Sequence, residues 1–151
     1  MYCSPSSDPD GPATQRASAR PSPLRRVLVV NDEMDMRPDL ARELVGKLRC
    51  AVETAGSLDA ALRSLGTHPP QAVIVDGSTY ASCLALVRTL RAAIGSRKVV
   101  IVVLLAQHHP HDWEALRDAG ADASFHQPMA AAELARGVLG LTLGQRATSE
   151  E

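Results

Sequence analysis

The 151-residue chain has three cysteines, Cys3, Cys50 and Cys83, an odd number with no Cys-x-x-Cys spacing. A disulfide scaffold is therefore excluded as the source of its stability, and a reducing compartment fits best. No apolar run is long enough to cross a bilayer, and the N-terminus lacks the basic start and apolar stretch of a secretory signal, so the chain reads as cytoplasmic. Cys3 lies near Met1, where a lipoprotein cysteine would stand, yet no hydrophobic segment precedes it. An excess of charge is missing as well: 16 Lys and Arg against 17 Asp and Glu give −1, so no global field exists to hold DNA or an anionic membrane. Aromatics make up only 3%, beside 45% hydrophobic and 22% charged residues, the proportions of one soluble globular domain.

The first 24 residues hold five of the ten prolines and five serines, with almost no branched apolar residues. Such a segment buries too little surface to offset chain entropy, so 1–24 is expected to be a disordered arm, open to proteolysis, with the packed domain spanning 25–144. About 120 residues suffice to bury roughly two thirds of the unfolded surface without a metal or disulfide. The stretch 145–151 reads as a polar tail.

From Arg25 onward, short apolar runs alternate with stretches of helical spacing. Val27 to Val30, Ala72 to Val75 and Val99 to Leu105 lack polar alternation, as strands covered on both faces do. Ala51 to Ala55 and Ala121 to Phe125 are shorter candidates for the sheet's flanks. Leu40, Leu44, Val45 and Leu48 recur at helical spacing, as do Leu58, Ala61, Leu62 and Leu65 after Ser57, an N-cap residue type, with Gly66 as the stop. Leu84, Val87, Leu90 and Ile94 mark a third helix ending at Gly95. Asp112 is placed to cap a short fourth carrying Trp113 and Leu116, ended by Gly120. A last helix from about Ala130 to Leu143 contains Gly137 and Gly140, each costing about 1 kcal/mol relative to alanine. Five βα units predict a doubly wound α/β sandwich around a five-stranded parallel sheet, in the flavodoxin-like order 2-1-3-4-5, with its functional crevice at the carboxyl ends of the strands.

At those ends stand Asn31-Asp32-Glu33, Asp76, Leu105-Ala106 and His126-Gln127-Pro128. Asp32 and Asp76 close together would repel unless one took a proton, and a divalent cation is the economical reason to place them so. Hard oxygen donors with positions left for water suit Mg²⁺. An acid at a strand end can also simply favour the start of the following helix, but two on adjacent central strands make that reading weaker.

These residues carry a resemblance. Val-Leu-Val-Val-Asn-Asp-Glu, Val-Ile-Val-Asp and Asp-Ala-Gly-Ala-Asp-Ala-Ser-Phe-His-Gln-Pro resemble the receiver domain of bacterial two-component response regulators, over about Arg25 to Leu143. The resemblance implies that Asp76 accepts a phosphoryl group from a sensor histidine kinase or phosphotransfer protein. It also implies Mg²⁺ held by Asp32, Asp76 and the backbone carbonyl of Ser78, with Asn31 acting through a water. Asn31 replaces the more usual acid and should weaken the cation.

Two departures bear on function. The lysine expected before the strand-five proline is Gln127, a neutral donor where charge-assisted bonds are roughly twice as strong, and the chain's two lysines, Lys47 and Lys98, lie elsewhere. The hydroxyl residue expected at the end of strand four is Leu105, followed by Ala106, and Ser124 stands in place of the switching aromatic of strand five. The first link between modification and surface shape is thus missing. The loop Gly77 to Ser82 also lacks the usual Met-Pro-Gly-x-Asp-Gly run.

His108, His109 and His111 follow strand four and invite a transition-metal reading, though the spacing is no standard zinc pattern; a solvated loop that changes charge near pH 6 to 7 is the plainer account. Trp113 fits core packing better than a partner anchor, Tyr80 is either a gate beside Asp76 or a loop aromatic, and Cys50 and Cys83 read as small apolar fillers. The expectation is a single-domain response regulator, since eight residues after Leu143 leave no room for an output domain. It would act through a partner surface over about 112–143, with a homodimer left open and neither nucleic acid nor membrane as partner. The alternative is a phosphorylation-independent pseudo-receiver serving as an adaptor. A small phosphohydrolase is a further rival, lacking the second acid or lysine its nucleophile would need. A nucleotide-binding domain lacks its glycine-rich turn after strand one.

Overall fold

The computed structural model describes residues 24–31, 38–76, 79–95, 97–105, 112–126 and 129–150. Five strands, β1 (Arg26–Asn31), β2 (Ala51–Ala55), β3 (Ala72–Asp76), β4 (Val100–Leu105) and β5 (Ala123–His126), form one parallel sheet in the order β2-β1-β3-β4-β5. Between and after them run α1 (Pro38–Leu48), α2 (Leu58–Thr67), α3 (Tyr80–Ile94), α4 (Asp112–Ala119) and α5 (Ala131–Glu150).

Side-chain alternation divides the core in two. Leu28, Val30, Val73, Val75, Ile101, Val103 and Leu105 face α2, α3 and α4 through Leu65, Val87, Leu90 and Leu116. Val27, Val29, Ala72, Ile74, Val100, Val102 and Leu104 face α1 and α5 through Leu44, Leu48, Leu134 and Val138. The central strands β3 and β4 are buried along their whole length, which is why they read as unbroken apolar runs; β2 is exposed at three of its five positions and β5 is only half-buried.

Local chemistry sets the helix boundaries. Ser57 caps α2 by accepting from the Ala60 amide at 3.1 Å, and Thr79, unforeseen in the sequence, caps α3 through Ser82 N–H at 3.0 Å. Gly95 ends α3 as expected, at φ 67°. Gly66 does not end α2, which runs one residue further to Thr67, whose hydroxyl donates to the Arg63 carbonyl at 2.8 Å. Leu24, read as the last residue of the arm, has its side chain buried in the α1/α5 face. Strand five starts at Ala123, two residues later than read from sequence; Asp122 just before it donates its amide to the Ile101 carbonyl at 2.7 Å and accepts the Ile101 amide on its carboxylate at 2.8 Å. The last helix continues to Glu150, through the stretch read as a tail: once a helix is nucleated each added residue gains a hydrogen bond. Gly137 in that helix is required by packing, because a Cβ there would lie 2.5 Å from Phe125 Cζ. The N-terminal arm, residues 1–23, lies outside the described residues.

Candidate functional site

Asp76 is the last residue of β3 and sits at the carboxyl edge of the sheet, only 6% exposed. Its register partner on β1 is Asn31, likewise 6% exposed. The two polar side chains end adjacent central strands because strand alternation carries both onward from the apolar α1/α5 face, after Val29 and Ile74. On the other flank Asp76 pairs with Leu104, which is buried in the same face. Asp76 thus stands in register between an asparagine on β1 and a leucine on β4.

The sequence reading missed Leu104 as the direct neighbour of Asp76, a fact that register fixes and a sequence alone does not give. Cys83, read as a small apolar filler, is buried in the α2/α3/α4 half of the core with its thiol 4.0 Å from the Leu104 carbonyl. Leu105, the residue at the expected hydroxyl position, is 4% exposed and packs in that same half of the core with Leu86, Val87 and Leu116. It pairs with His126, the exposed last residue of β5, while Ser124 pairs with Val103. Tyr80 opens α3 and packs partly buried against that core half, as does Trp113 at the start of α4. Trp113 is therefore a packing residue, as its spacing with the fully buried Leu116 predicts.

Of the expected site residues, Asn31, Asp76, Leu105 and Ser124 are described. Asp32, Ser78, Ala106, Gln127 and the histidines 108, 109 and 111 lie outside the described residues. Among the described residues no group of three or more His, Cys, Asp or Glu side chains is arranged to hold a metal, and no helix is long and apolar enough to cross a membrane. Asp76 and Asn31 do supply oxygen donors side by side, with Asp32 next in the chain. This hard, oxygen-only donor set suits Mg²⁺ rather than a soft metal.

No family model matches the chain, and no curated protein matches its sequence. Solved structures do match in fold. The receiver domain protein (CheY-like) of Methanospirillum hungatei JF-1 superimposes with a TM-score of 0.68 at 15% identity, covering 83% of this chain and 98% of that one. NtrX of Brucella abortus gives 0.65 at 22% identity over 83% of this chain, which spans 29% of the NtrX chain. A DNA-binding response regulator of the LuxR family from Staphylococcus aureus gives 0.64 at 17% identity, over 79% of this chain and 99% of that one. The chain has the fold of response-regulator receiver domains.

Proposed function

We propose that the chain is a receiver module of two-component signal transduction that accepts a phosphoryl group on Asp76. The observation that carries this is the placement of Asp76: a nearly buried carboxylate ending the central strand of a receiver fold, in register with Asn31. In the transfer, an Asp76 carboxylate oxygen attacks phosphorus and forms the acyl-phosphate bond. The bond from phosphorus to the donor's histidine nitrogen, or to the oxygen of a small donor, breaks, and the leaving atom keeps the electron pair and takes up a proton.

Asp32, Asp76 and the Ser78 carbonyl are the residues that would hold Mg²⁺, with Asn31 orienting a bound water. When bound, the cation neutralises charge on the transferring oxygens. Gln127 has only a neutral amide to offer where a lysine would give a charged donor, which would slow acceptance. The protein is read as a signalling component rather than an enzyme with turnover, working in the cytoplasm between a histidine kinase or phosphotransfer protein and a downstream protein that docks over about 112–143.

A second reading is favoured by Leu105. Its side chain is packed in the α2/α3/α4 half of the core and has no donor to offer a phosphoryl group, so acceptance at Asp76 has no direct grip on the α4–β5 surface. In this reading the module binds its partner without modification.

Intact-mass spectrometry after incubation with Mg²⁺ and a small phosphoryl donor tests both readings. One phosphoryl adduct on the wild type, absent from Asp76→Ala, is expected. An adduct that survives Asp76→Ala overturns the assignment of the acceptor. No adduct on the wild type, with one gained by Gln127→Lys, selects the phosphorylation-independent module.

A further inference from the structure

Helix α3 joins the two edges of the sheet. It is capped by Thr79, three residues after Asp76, and its last turns reach the edge where the strands begin. Its 15 residues rise about 22 Å, close to the length of a six-residue strand. Cys83, Leu86, Val87, Leu90 and Ile94 are buried along one side of it, so the helix is seated on the core from end to end. In its first turns the Cys83 thiol lies 4.0 Å from the carbonyl of Leu104, the register neighbour of Asp76 on β4.

At the far end the Arg91 guanidinium donates to the Gly120 carbonyl through Nε at 3.1 Å and Nη2 at 2.8 Å, and Nη2 also reaches Asp122 Oδ2 at 3.1 Å. Gly120 closes α4, its amide donating to the carbonyls of Leu116 and Arg117. Asp122 stands just before β5 and is tied to Ile101 of β4 through both its amide and its carboxylate. One side chain of α3 thus grips the end of one element and the start of the next. The grip is close, because a Cβ on Gly120 would lie 2.5 Å from Arg91 Cγ. A displacement of α3 must therefore carry the α4–β5 turn with it or break these bonds.

We propose that α3 and the Arg91 clamp couple the Asp76 site to the end of α4 and the start of β5, by a route that bypasses Leu105. Its input rests on the reading of Asp76 as the phosphoryl acceptor. A phosphoryl group there acts three residues from the Thr79 cap, and a shift of the first turn of α3 is passed along the helix to Arg91, about 18 Å away, and on to Gly120 and Asp122. The helix is favoured over β4 as the path because Leu105 is a buried aliphatic side chain, whereas α3 is held by polar groups at both ends, Thr79 at one and Arg91 at the other.

The test is a cycle of variants read by amide hydrogen exchange on the full chain. Thr79→Ala removes the cap, in which the Thr79 hydroxyl accepts from Ser82 N–H. It should speed exchange at Gly120 and Ala121 roughly threefold or more, while Leu44 and Leu48 on α1 keep their rates. In Arg91→Lys, which keeps the charge and loses the forked geometry, the same cap removal should leave Gly120 and Ala121 within about 1.5-fold. Arg26→Gln, which opens the Arg26–Glu53 pair at the other flank of the sheet, should leave the transmission intact. A second arm adds Mg²⁺ and a small phosphoryl donor, with the adduct followed by intact mass. The amide chemical shifts of Gly120 and Asp122 should move with the adduct in the wild type and hold still in Arg91→Lys. Equal acceleration at α1 and at Gly120, undiminished transmission in Arg91→Lys, or an adduct with no movement at Gly120 and Asp122 would each overturn the proposal. Absence of any adduct would instead count against Asp76 as the acceptor, and the cap cycle would still decide whether α3 carries the link.

Discussion

The two edges of the sheet are built on opposite principles. At the edge where strands begin, polar groups hold one another. Arg91 donates to the Gly120 carbonyl through Nε at 3.1 Å and Nη2 at 2.8 Å, and also pairs with Asp122 at 3.1 Å; Asp122 in turn accepts from the Ile101 amide at 2.8 Å. Gln71 likewise accepts from the amides of Arg25 and Arg26. At the edge where strands end, Asp76 is buried beside an asparagine and a leucine, and neither register neighbour brings a positive charge. Asp122 at the first edge is tied to a guanidinium and an amide, while Asp76 at the second ends a strand between two register neighbours that carry no charge.

Breaking the first edge should have the largest effect. Gly120 adopts φ 124°, and a Cβ there would lie 2.5 Å from Arg91 Cγ, so Gly120→Val both strains the backbone and pushes out the clamp. A loss of about 3 kcal/mol is expected in urea unfolding. Gly95→Ala, at φ 67° with open space around it, should cost only about 1 kcal/mol. Equal costs would show that the clamp adds nothing beyond backbone strain.

The comparison sharpens with one isosteric change at each edge. Asp122→Asn exchanges a carboxylate that serves both a guanidinium and an amide for a neutral group, and should cost about 1 to 2 kcal/mol. Asp76→Asn removes a buried charge while keeping shape, and should leave stability within about 0.5 kcal/mol or raise it. Melting curves of the two variants decide the matter. If Asp76→Asn destabilised as much as Asp122→Asn, the claim that the two acids differ in kind would fail.

The architecture was largely legible in the residues because β3 and β4 are fully buried and therefore unbroken in hydropathy, and because Ser57 and Gly95 mark helix ends by chemistry that acts locally. The site was legible as positions, Asn31 and Asp76, and not as neighbours. Which β4 residue flanks Asp76 depends on register, and a shift of one residue exchanges Leu104 for Leu105 and one core face for the other. The end of α5 was misjudged for a related reason: the glycines at 137 and 140 argue locally for fraying, yet Gly137 is the residue that lets Phe125 pack, a contact between elements that no window of sequence contains. The Arg91–Asp122 clamp, spanning 31 positions, was invisible on the same ground.

The smallest expected effect also belongs to the edge where strands begin. Cys50, just before β2, is half-buried against the α1/α5 face, and burial pushes its thiol above the ordinary value of 9.0. Below that value both the folded and the unfolded chain keep the proton, so Cys50 contributes no pH dependence. Above it the unfolded chain releases the proton first, which stabilises the unfolded state, and stability falls as pH rises until the folded thiol also ionises. Urea unfolding at about pH 8 and about pH 10 should therefore show a slightly steeper alkaline loss for the wild type than for Cys50→Ala. An identical loss in both proteins would place the Cys50 thiol in effectively open solvent and remove it from the packed edge.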